Sequence, residues 1–423
     1  MRRRSADFDW LAISIYGLLV LLGWMAIYAV SSNGGEVGAF DPGSLHGKQL
    51  IWIGVSIIAG IVILSLDFRF LEASSYIAYG VGVALLIITL LFGKEVNGAK
   101  SWFMIAGQPF QPSEFAKVAT AMALARYMSR LNFSFNKLSE LIGAAAIVLT
   151  PALIVILQND TGSALVFFSL MLVFYRQGLH PVIPVLAIFT AIVAVATLWS
   201  GAPLYILGAL TGLAVISFWV TQTSRNRGRI LLLHLLALGI YAGLTFSVDY
   251  LFNQLQEHQQ NRIKVWFDPM VDPSGAGYNV IQSKIAIGSG GITGKGYLDG
   301  NYTKYQFVPK QETDFIYCTI GEEFGWWGST LVLMLFMALI WRLYTLAENS
   351  KTRYSLTYGY SIMAIIFFHV LVNVGMTIGL VPVIGIPLPF FSYGGSSLLA
   401  FTIMISIVLN FYSYQRSILG TKA

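Results

Sequence analysis

Charged side chains are scarce in this chain of 423 residues, where Asp, Glu, Lys and Arg together make up only 11%. An average soluble domain carries about 25% charged residues. This shortage, together with a hydrophobic share of 56%, excludes an ordinary water-soluble domain and indicates a polytopic membrane protein. The net charge of +6 is then explained by basic residues that hold cytoplasmic loops in place, and nucleic-acid binding is not expected.

Cysteine is nearly absent as well. The single cysteine, Cys318, excludes an intrachain disulfide and leaves the redox compartment open. The sequence contains no Walker motif and no dinucleotide-binding glycine motif, and no spacing of His, Cys and carboxylates is typical of zinc. Nucleotide-driven chemistry and a structural zinc site are therefore not expected.

What the chain has in abundance is apolar stretches of spanning or nearly spanning length, which predict an all-α polytopic bundle of twelve candidate spans. They fall at 10–30, 50–66, 74–92, 113–128, 141–157, 162–177, 180–199, 203–221, 230–248, 315–344, 356–380 and 396–413. The first follows three arginines at positions 2–4 and resembles a signal peptide, but its length of about 20 residues favours an uncleaved helix. The weakest is 113–128, because it carries Glu114 and Lys117.

Basic residues alternate between the connecting segments in a way that predicts sidedness. With the N-terminus inside, sixteen fall in inner segments, namely Arg2, Arg3, Arg4, Arg69, Arg126, Arg130, Lys137, Arg176, Arg225, Arg227, Arg229, Arg342, Lys351, Arg353, Arg416 and Lys422. The short outer loops hold three, Lys48, Lys94 and Lys100. The asymmetry predicts membrane helices over 1–248, a large outward-facing loop over 249–314, and membrane helices over 315–423 with a cytoplasmic C-terminus.

The segment 180–248 consists of three apolar runs without intramembrane charge. Gly201-Ala202-Pro203 predicts an outer turn between the first two runs. Three arginines within 225–229 predict a strongly basic inner turn between the last two. We therefore expect a helical hairpin of lipid-facing helices within this segment.

The loop 249–314 ends on Asp314, where the next apolar span begins. A carboxylate at such a boundary is costly to desolvate unless it has a partner or a task, so Asp314 is the first candidate for chemistry. The loop also carries clustered glycines at 288–296, which free the backbone to approach a ligand. Its basic side chains offer charge for phosphate; they are Arg262, Lys264, Lys284 and Lys295. A flexible loop with solvated charges is the alternative.

Further polar residues lie within or beside the apolar spans. Glu114 and Lys117 are three residues apart, so they share a helix face and can neutralise each other; a structural ion pair and a polar cavity both fit. His369 and Asn373 are four apart and predict two satisfied polar side chains packed between helices. The Pro- and Gly-rich stretch 382–397 cannot be regular lipid-exposed helix, so it must line a cavity or fold against protein.

Taken together, these motifs resemble the SEDS family (shape, elongation, division and sporulation), whose members polymerise peptidoglycan glycan strands. The matching stretches are NGAKSW, QPSEFAK, QSKIAIGSGGITGKG, TDF with GEEFG, and VNVGMTIGLVPVIGIPLPFFSYGGSS. The QSKIAIGSGG run is more similar to the RodA branch than to the FtsW branch. The resemblance implies a SEDS-type helical bundle of about 10 core spans, each of spanning length. The two additional helices within 180–248 would then be an insertion.

The resemblance also implies a function. It is that of a peptidoglycan glycosyltransferase of the bacterial inner membrane, acting in cell-wall elongation on lipid II, a disaccharide-pentapeptide carried on undecaprenyl diphosphate. It makes Asp314 the catalytic aspartate, with the role of general base, and puts Trp102 and the Glu114–Lys117 pair in the substrate cavity. The other substrate-binding or cavity candidates are Asp160, Arg262, Lys284, Lys295 and Ser396.

Cofactors and partners follow from the same resemblance. Cations must stabilise the departing diphosphate, for which Lys117, the loop lysines and a divalent cation, Mg²⁺ or Mn²⁺, are the candidates. The helices around 113–128 would form a groove for the polyprenyl tail. The expected partner is a class B penicillin-binding protein that supplies transpeptidase activity, together with other cell-wall elongation proteins.

Two positions depart from the family pattern. Asn159 stands where relatives commonly carry proline, and Glu312 where a histidine frequently precedes TDF. Two other functions stay open, a lipid II flippase or transporter, because intramembrane charges and broken helices also mark transport paths, and a non-catalytic scaffold of the elongation complex. A flippase needs polar residues at the midplane that are accessible from both faces, whereas here they cluster outward, which favours the polymerase.

Overall fold

The computed structural model describes residues 8–32, 37–96, 98–105, 107–221, 227–255, 257–273 and 275–419, and these are mostly helical. In chain order the elements are α1 (Trp10–Ser31), α2 (Leu45–Ser65), α3 (Phe68–Ala73), α4 (Ser75–Phe92), β1 (Lys94–Val96), β2 (Ala99–Ile105), β3 (Gln108–Phe110), α5 (Pro112–Met128), α6 (Leu138–Leu157), α7 (Thr161–Phe168), α8 (Met171–Arg176), α9 (Val182–Ser200), α10 (Pro203–Thr221), α11 (Arg227–Gln254), α12 (Glu257–Phe267), a short 3-10 helix (Pro269–Val271), α13 (Ala276–Ser289), α14 (Asn301–Lys304), α15 (Ile316–Glu348), α16 (Arg353–Thr377) and α17 (Gly395–Leu419).

All twelve predicted apolar stretches are helical. Within the described part of the chain, ten helices are long and apolar enough to cross a membrane, namely α1, α2, α4, α6, α9, α10, α11, α15, α16 and α17. The other two stretches are shorter, because α5 has 17 residues and the stretch 162–177 breaks into α7 and α8. The prediction of an all-α polytopic membrane protein is confirmed, with ten full-length spans in place of twelve.

The chain divides into two compact units, one made of 1–178 with 278–423 and the other of Leu179–Gly277. The second unit contains α9 to α12. Its first turn is where the sequence predicted it, since α9 is closed by Gly201 in the left-handed conformation, with φ 58°. Arg225 lies outside the described residues, whereas Arg227 and Arg229 are exposed at the start of α11. Whether this unit is an insertion, and which side its turns face, stay predictions.

A small antiparallel sheet of order β1-β2-β3 fills the predicted turn between α4 and α5. Lys94 pairs with Trp102 across the first two strands, and Phe103 pairs with Phe110 across the second two. This sheet was not predicted from the sequence, although an Asn-Gly dipeptide, present here at 97–98, is typical of hairpin turns. The strand β3 leads directly into α5, so the sheet fixes where α5 begins.

The helix α5 lies in the interior of the first unit, with fourteen of its 17 residues buried. Its many alanines let neighbouring helices approach closely, as small residues do in membrane proteins. A methyl group added to Gly82 of α4 would lie 3.3 Å from Cβ of Ala119. A polyprenyl tail could therefore not run along α5 itself, and a lipid-facing groove at 113–128 would have to be lined by its neighbours.

Candidate active site

Asp314 lies in a tight turn immediately before α15. The carbonyl of Lys310, a residue with φ 55°, accepts from the backbone N–H groups of Thr313, Asp314 and Phe315 at 3.2, 3.0 and 3.4 Å. Three donors on one oxygen fix the backbone that carries the carboxylate. The Asp314 side chain is half-buried, so it is both held and accessible.

The Pro- and Gly-rich segment between α16 and α17 packs directly against this turn. Tyr393 donates its N–H to the carbonyl of Glu312 at 2.8 Å, and the Ser392 hydroxyl donates to the carbonyl of Thr313. Asp314 itself faces Gly385, where an added methyl group would lie 3.5 Å from Asp314 Oδ2. The prediction that this segment folds against protein is confirmed, and what it folds against is the candidate base.

The predicted pair of Glu114 and Lys117 is present, with 2.8 Å between Oε1 and Nζ. Both side chains are 1% exposed. The Lys117 ammonium also lies 3.0 Å from Nε2 of His369 and 5.7 Å from the centre of the Phe401 ring. Because Lys117 is enclosed by these partners, it does not present its charge to a diphosphate at the surface of the site.

Asp160 and Ser396 are brought together by Gln111. The Gln111 side-chain amide donates to Asp160 Oδ2 at 3.0 Å, and its backbone N–H donates to Ser396 Oγ at 3.2 Å. Asp160 also caps α7 by accepting from the N–H of Ser163 at 3.1 Å. The beginnings of α5, α7 and α17 therefore meet in one polar cluster.

The start of α7 reaches the same segment that faces Asp314. A methyl group added to Gly162 would lie 2.9 Å from the carbonyl oxygen of Ile384. Asn159, just before α7, has φ 61°, a value that the proline ring cannot adopt. The backbone at position 159 therefore excludes proline, the residue that relatives commonly carry there.

The remaining predicted residues are distributed as follows. Trp102 is half-buried on β2. Lys284 is exposed on α13, where its side chain lies beside Gly379 at the end of α16. Lys295 donates to Oε1 of the buried Glu322 at 2.7 Å. Arg262 lies on α12 in the second unit and is half-buried there.

Comparison with known proteins identifies the family. The family model for FtsW, RodA and SpoVE, described as cell cycle protein, matches residues 9–417. The chain belongs to this family. The resemblance to SEDS proteins drawn from the sequence motifs is thereby confirmed.

Two curated members of the FtsW/RodA/SpoVE family illustrate how similar the chain is to named proteins. Peptidoglycan glycosyltransferase RodA of Treponema pallidum (strain Nichols) is 31% identical over 435 residues, with 98% of this chain and 99% of the relative covered. Peptidoglycan glycosyltransferase MrdB of Escherichia coli (strain K12) is 30% identical over 400 residues, with 94% and 92% covered. The similarity extends over nearly the whole length of each chain.

Two solved structures share the fold. A chain from a peptidoglycan synthase complex, described as coordinating polymerization and crosslinking, gives a TM-score of 0.68 at 25% identity, with 96% of this chain and 98% of the other covered. The rod shape determining protein RodA of Thermus thermophilus gives a TM-score of 0.61 at 23% identity, with 96% and 97% covered. The chain is therefore a multi-pass membrane protein with the fold of this family.

The described part of this FtsW/RodA/SpoVE member contains no group of three or more His, Cys, Asp or Glu side chains that could hold a metal ion. The hydrogen bonds described for residues 312–314 are made with backbone groups, the Ser392 hydroxyl and the Asn373 amide, whereas Mg²⁺ and Mn²⁺ are usually held by carboxylates. The described residues around Asp314 therefore do not form a complete metal site of their own. A divalent cation stays a proposal, limited to one shared between Asp314 and the phosphates of a substrate.

Three residues that contact the site were missed or given a weaker role by the sequence analysis. His369 and Asn373 were predicted to be satisfied side chains between helices. Both are buried, and both ring nitrogens of His369 are hydrogen-bonded, whereas Asn373 donates from its amide nitrogen while its Oδ1 has no hydrogen-bond partner. The partners of both side chains belong to the site. Ser392 was part of a motif without a role of its own. The available signal was the high density of polar residues in and beside α16, a helix that is otherwise apolar.

Proposed function

We propose that this chain is a peptidoglycan glycosyltransferase that polymerises lipid II into glycan strands during cell-wall elongation, with Asp314 as general base. The observation that carries the proposal is the placement of Asp314. Residues 312–314 are each bonded through the backbone to the segment 373–393, while the carboxylate lies beside Gly385 and is half-buried. A base held in this way is positioned before substrate arrives, which lowers the entropic cost of reaction.

The reaction joins a sugar hydroxyl of one lipid-linked chain to the anomeric carbon of another. Asp314 accepts the hydroxyl proton as the new carbon–oxygen bond forms. The bond from the anomeric carbon to the diphosphate breaks, and its electron pair leaves with undecaprenyl diphosphate. The proton on Asp314 then passes to water. The exposed side chain of Lys284 carries the proposed charge for the departing diphosphate. The role predicted for Arg262, which lies in the second unit, stays a prediction.

The catalytic face is proposed to be extracytoplasmic, in a bacterial inner membrane, with both termini in the cytoplasm. The alternating distribution of Lys and Arg supports this sidedness. A flippase or a scaffold would share the fold, but neither has a use for a carboxylate fixed by so many backbone bonds. The family relatives that carry the name peptidoglycan glycosyltransferase favour the polymerase.

The decisive experiment is polymerisation of lipid II by the purified protein. We expect wild type to form glycan polymer and Asp314→Asn to lose it by about 100-fold or more, as general base catalysis contributes. Asn retains the size of Asp and one acceptor oxygen but has neither its charge nor its basicity, and the two proteins should have the same elution volume and the same melting temperature. Polymerisation at the wild-type rate by a folded Asp314→Asn variant would overturn the role of Asp314. If the wild-type protein forms no polymer, the polymerase function is wrong and a flippase or a scaffold becomes the better explanation.

The proposed partner is a class B penicillin-binding protein that supplies the transpeptidase. The chain similar in fold that comes from a complex coordinating polymerization and crosslinking supports this pairing. We expect the cognate transpeptidase to co-purify and to raise the rate of polymerisation. Failure to co-purify, together with an unchanged rate when the transpeptidase is added, would contradict it.

A further inference from the structure

A series of buried polar groups leads from α5 to the segment that faces Asp314. Glu114 Oε1 accepts from Lys117 Nζ at 2.8 Å, Lys117 Nζ lies 3.0 Å from His369 Nε2, and His369 Nδ1 lies 3.0 Å from the carbonyl oxygen of Pro387. An ammonium group has donors only, so Nε2 of His369 accepts. The ring proton is then on Nδ1 and is donated to Pro387.

One turn further along α16, Asn373 bonds to the same region. Its side-chain amide donates to the carbonyls of Ile386 at 2.8 Å and of Asp314 at 2.9 Å. The next residue back, Gly385, is the one that faces the Asp314 carboxylate, and it has φ 78°. His369 and Asn373 together therefore fix two consecutive carbonyls of the segment and the backbone of Asp314.

This series cannot carry protons to or from Asp314. It ends at the carbonyl oxygen of Pro387, which only accepts hydrogen bonds and has no proton of its own to pass onward. What it can transmit is position. A buried charge pair is costly to rearrange, so the bond from Lys117 through His369 ties Pro387 to a rigid point inside α5.

We propose that His369 is a positioning residue, through which the buried Glu114–Lys117 pair anchors Pro387. His369 and Asn373 together hold Gly385 beside the Asp314 carboxylate. This inference rests on the function proposed above for Asp314. His369 contacts no substrate and acts only through the backbone of the 381–392 segment. The Glu114–Lys117 pair thereby affects the reaction without contacting the diphosphate.

The test compares three variants of the full-length protein. His369→Phe keeps the ring and its edge contact with Phe401 but removes both hydrogen-bonding nitrogens. His369→Gln keeps one acceptor for Lys117 and one donor for Pro387. Ser361→Ala is the matched control, since its buried hydroxyl donates at 2.8 Å to Thr357 within α16 itself.

Two measurements are made on each variant, amide hydrogen exchange without substrate and steady-state polymerisation of lipid II. We expect His369→Phe to raise exchange in 381–392 and 310–316 and to lower kcat by about 10- to 100-fold, the loss that a misplacement of order 1 Å can cause. KM should stay near its wild-type value, because the substrate contacts are retained. His369→Gln should recover most of kcat, and Ser361→Ala should match wild type.

Three outcomes would overturn the proposal or its premise. Unchanged exchange and unchanged kcat in His369→Phe would show that His369 anchors nothing that matters. Exchange raised evenly over α16 and α17, without recovery in His369→Gln, would make His369 a general packing residue. Full activity of Asp314→Asn together with local loosening in His369→Phe would overturn the role of Asp314 while supporting the anchoring of the segment.

Discussion

Lys295 donates a 2.7 Å hydrogen bond from Nζ to Oε1 of Glu322, a residue 27 positions further along the chain. The Glu322 side chain is fully buried, and its carboxylate also accepts from the N–H groups of Tyr302 and Thr303 at 2.9 and 2.8 Å. The Glu322 carboxylate, near the start of α15, thus holds three residues of the loop before Asp314 by hydrogen bonds. The glycine-rich loop is shaped by this ion pair, and Lys295 has a structural partner that the phosphate-binding prediction did not include.

Separate replacement of Lys295 and Lys284 should distinguish a lysine that stabilises the fold from a lysine that binds the substrate. We expect Lys295→Met to lower the free energy of unfolding by about 2 kcal/mol, the contribution of a hydrogen bond to a buried charged group. Lys284→Met removes an exposed ammonium, so its stability should match wild type while KM for lipid II rises. Unfolding in detergent and steady-state kinetics measure the two effects, and an equal loss of stability in both variants would contradict the distinction.

The buried Glu114–Lys117 pair should behave as a coupled unit. Removing one partner, as in Glu114→Gln or Lys117→Met, leaves the other poorly solvated and should cost about 3–5 kcal/mol. The double variant should cost clearly less than the sum of the two singles. Free energies of unfolding for the four proteins give the coupling directly, and strictly additive losses would reject it.

A side chain at Gly385 should harm activity more than stability. Gly385→Ala places a residue at φ 78°, which costs about 1–2 kcal/mol for an L residue, and puts its methyl group 3.5 Å from Asp314 Oδ2. Gly201→Ala is the matched control, because it has φ 58° and nothing within 4 Å of the added methyl group. Both variants should lose similar thermal stability, and only Gly385→Ala should lose polymerisation. Equal polymerisation activity in Gly385→Ala and Gly201→Ala would show that Gly385 has no role in the active site.

The sidedness of the segment 180–248 can be tested with single cysteines at Ser200 and Ser224 in a background without Cys318. Ser200 ends α9, whereas Ser224 lies outside the described residues. Ser200 is predicted to react from outside with a membrane-impermeant thiol reagent, and Ser224 to be protected until the membrane is opened. Labelling of Ser224 from outside would contradict the predicted hairpin and would require every span before the Asp314 loop to be counted again.

Local patterns in the sequence were enough for the helices and for one part of the site. The apolar stretches all became helices, because length and hydropathy act through the membrane on each segment separately. The Glu114–Lys117 pair was predicted correctly, since a spacing of three residues puts both side chains on one helix face. The sheet from β1 to β3 was missed because its strands are short and sit between long apolar spans.

The rest of the site depends on tertiary packing that no local spacing reports. His369 meets Lys117 across 252 positions, and Asn373 meets Asp314 across 59. In the same way, the partner of Lys295 lies beyond the loop in which the lysine was considered. A lysine near glycines suggests a phosphate, but only the fold shows which carboxylate already neutralises it.

The helix α15 is broken at Gly325, between its first residues, which follow Asp314, and its long membrane-spanning part. The break allows the spanning part to change its tilt without moving Asp314. Gly325 has φ 62° and ψ −155°, and a side chain there would collide with the backbone N of Gly294 at 2.3 Å. The part of α15 before Gly325 is hydrogen-bonded to the loop, because the N–H groups of Lys295 and Gly296 donate to the carbonyls of Glu322 and Glu323. A thicker or thinner bilayer changes helix tilt, and the bend can absorb that change. We therefore expect the rate of polymerisation to vary little among vesicles of different acyl chain length. A steep dependence of the rate on chain length would show that a change in helix tilt displaces the Asp314 carboxylate.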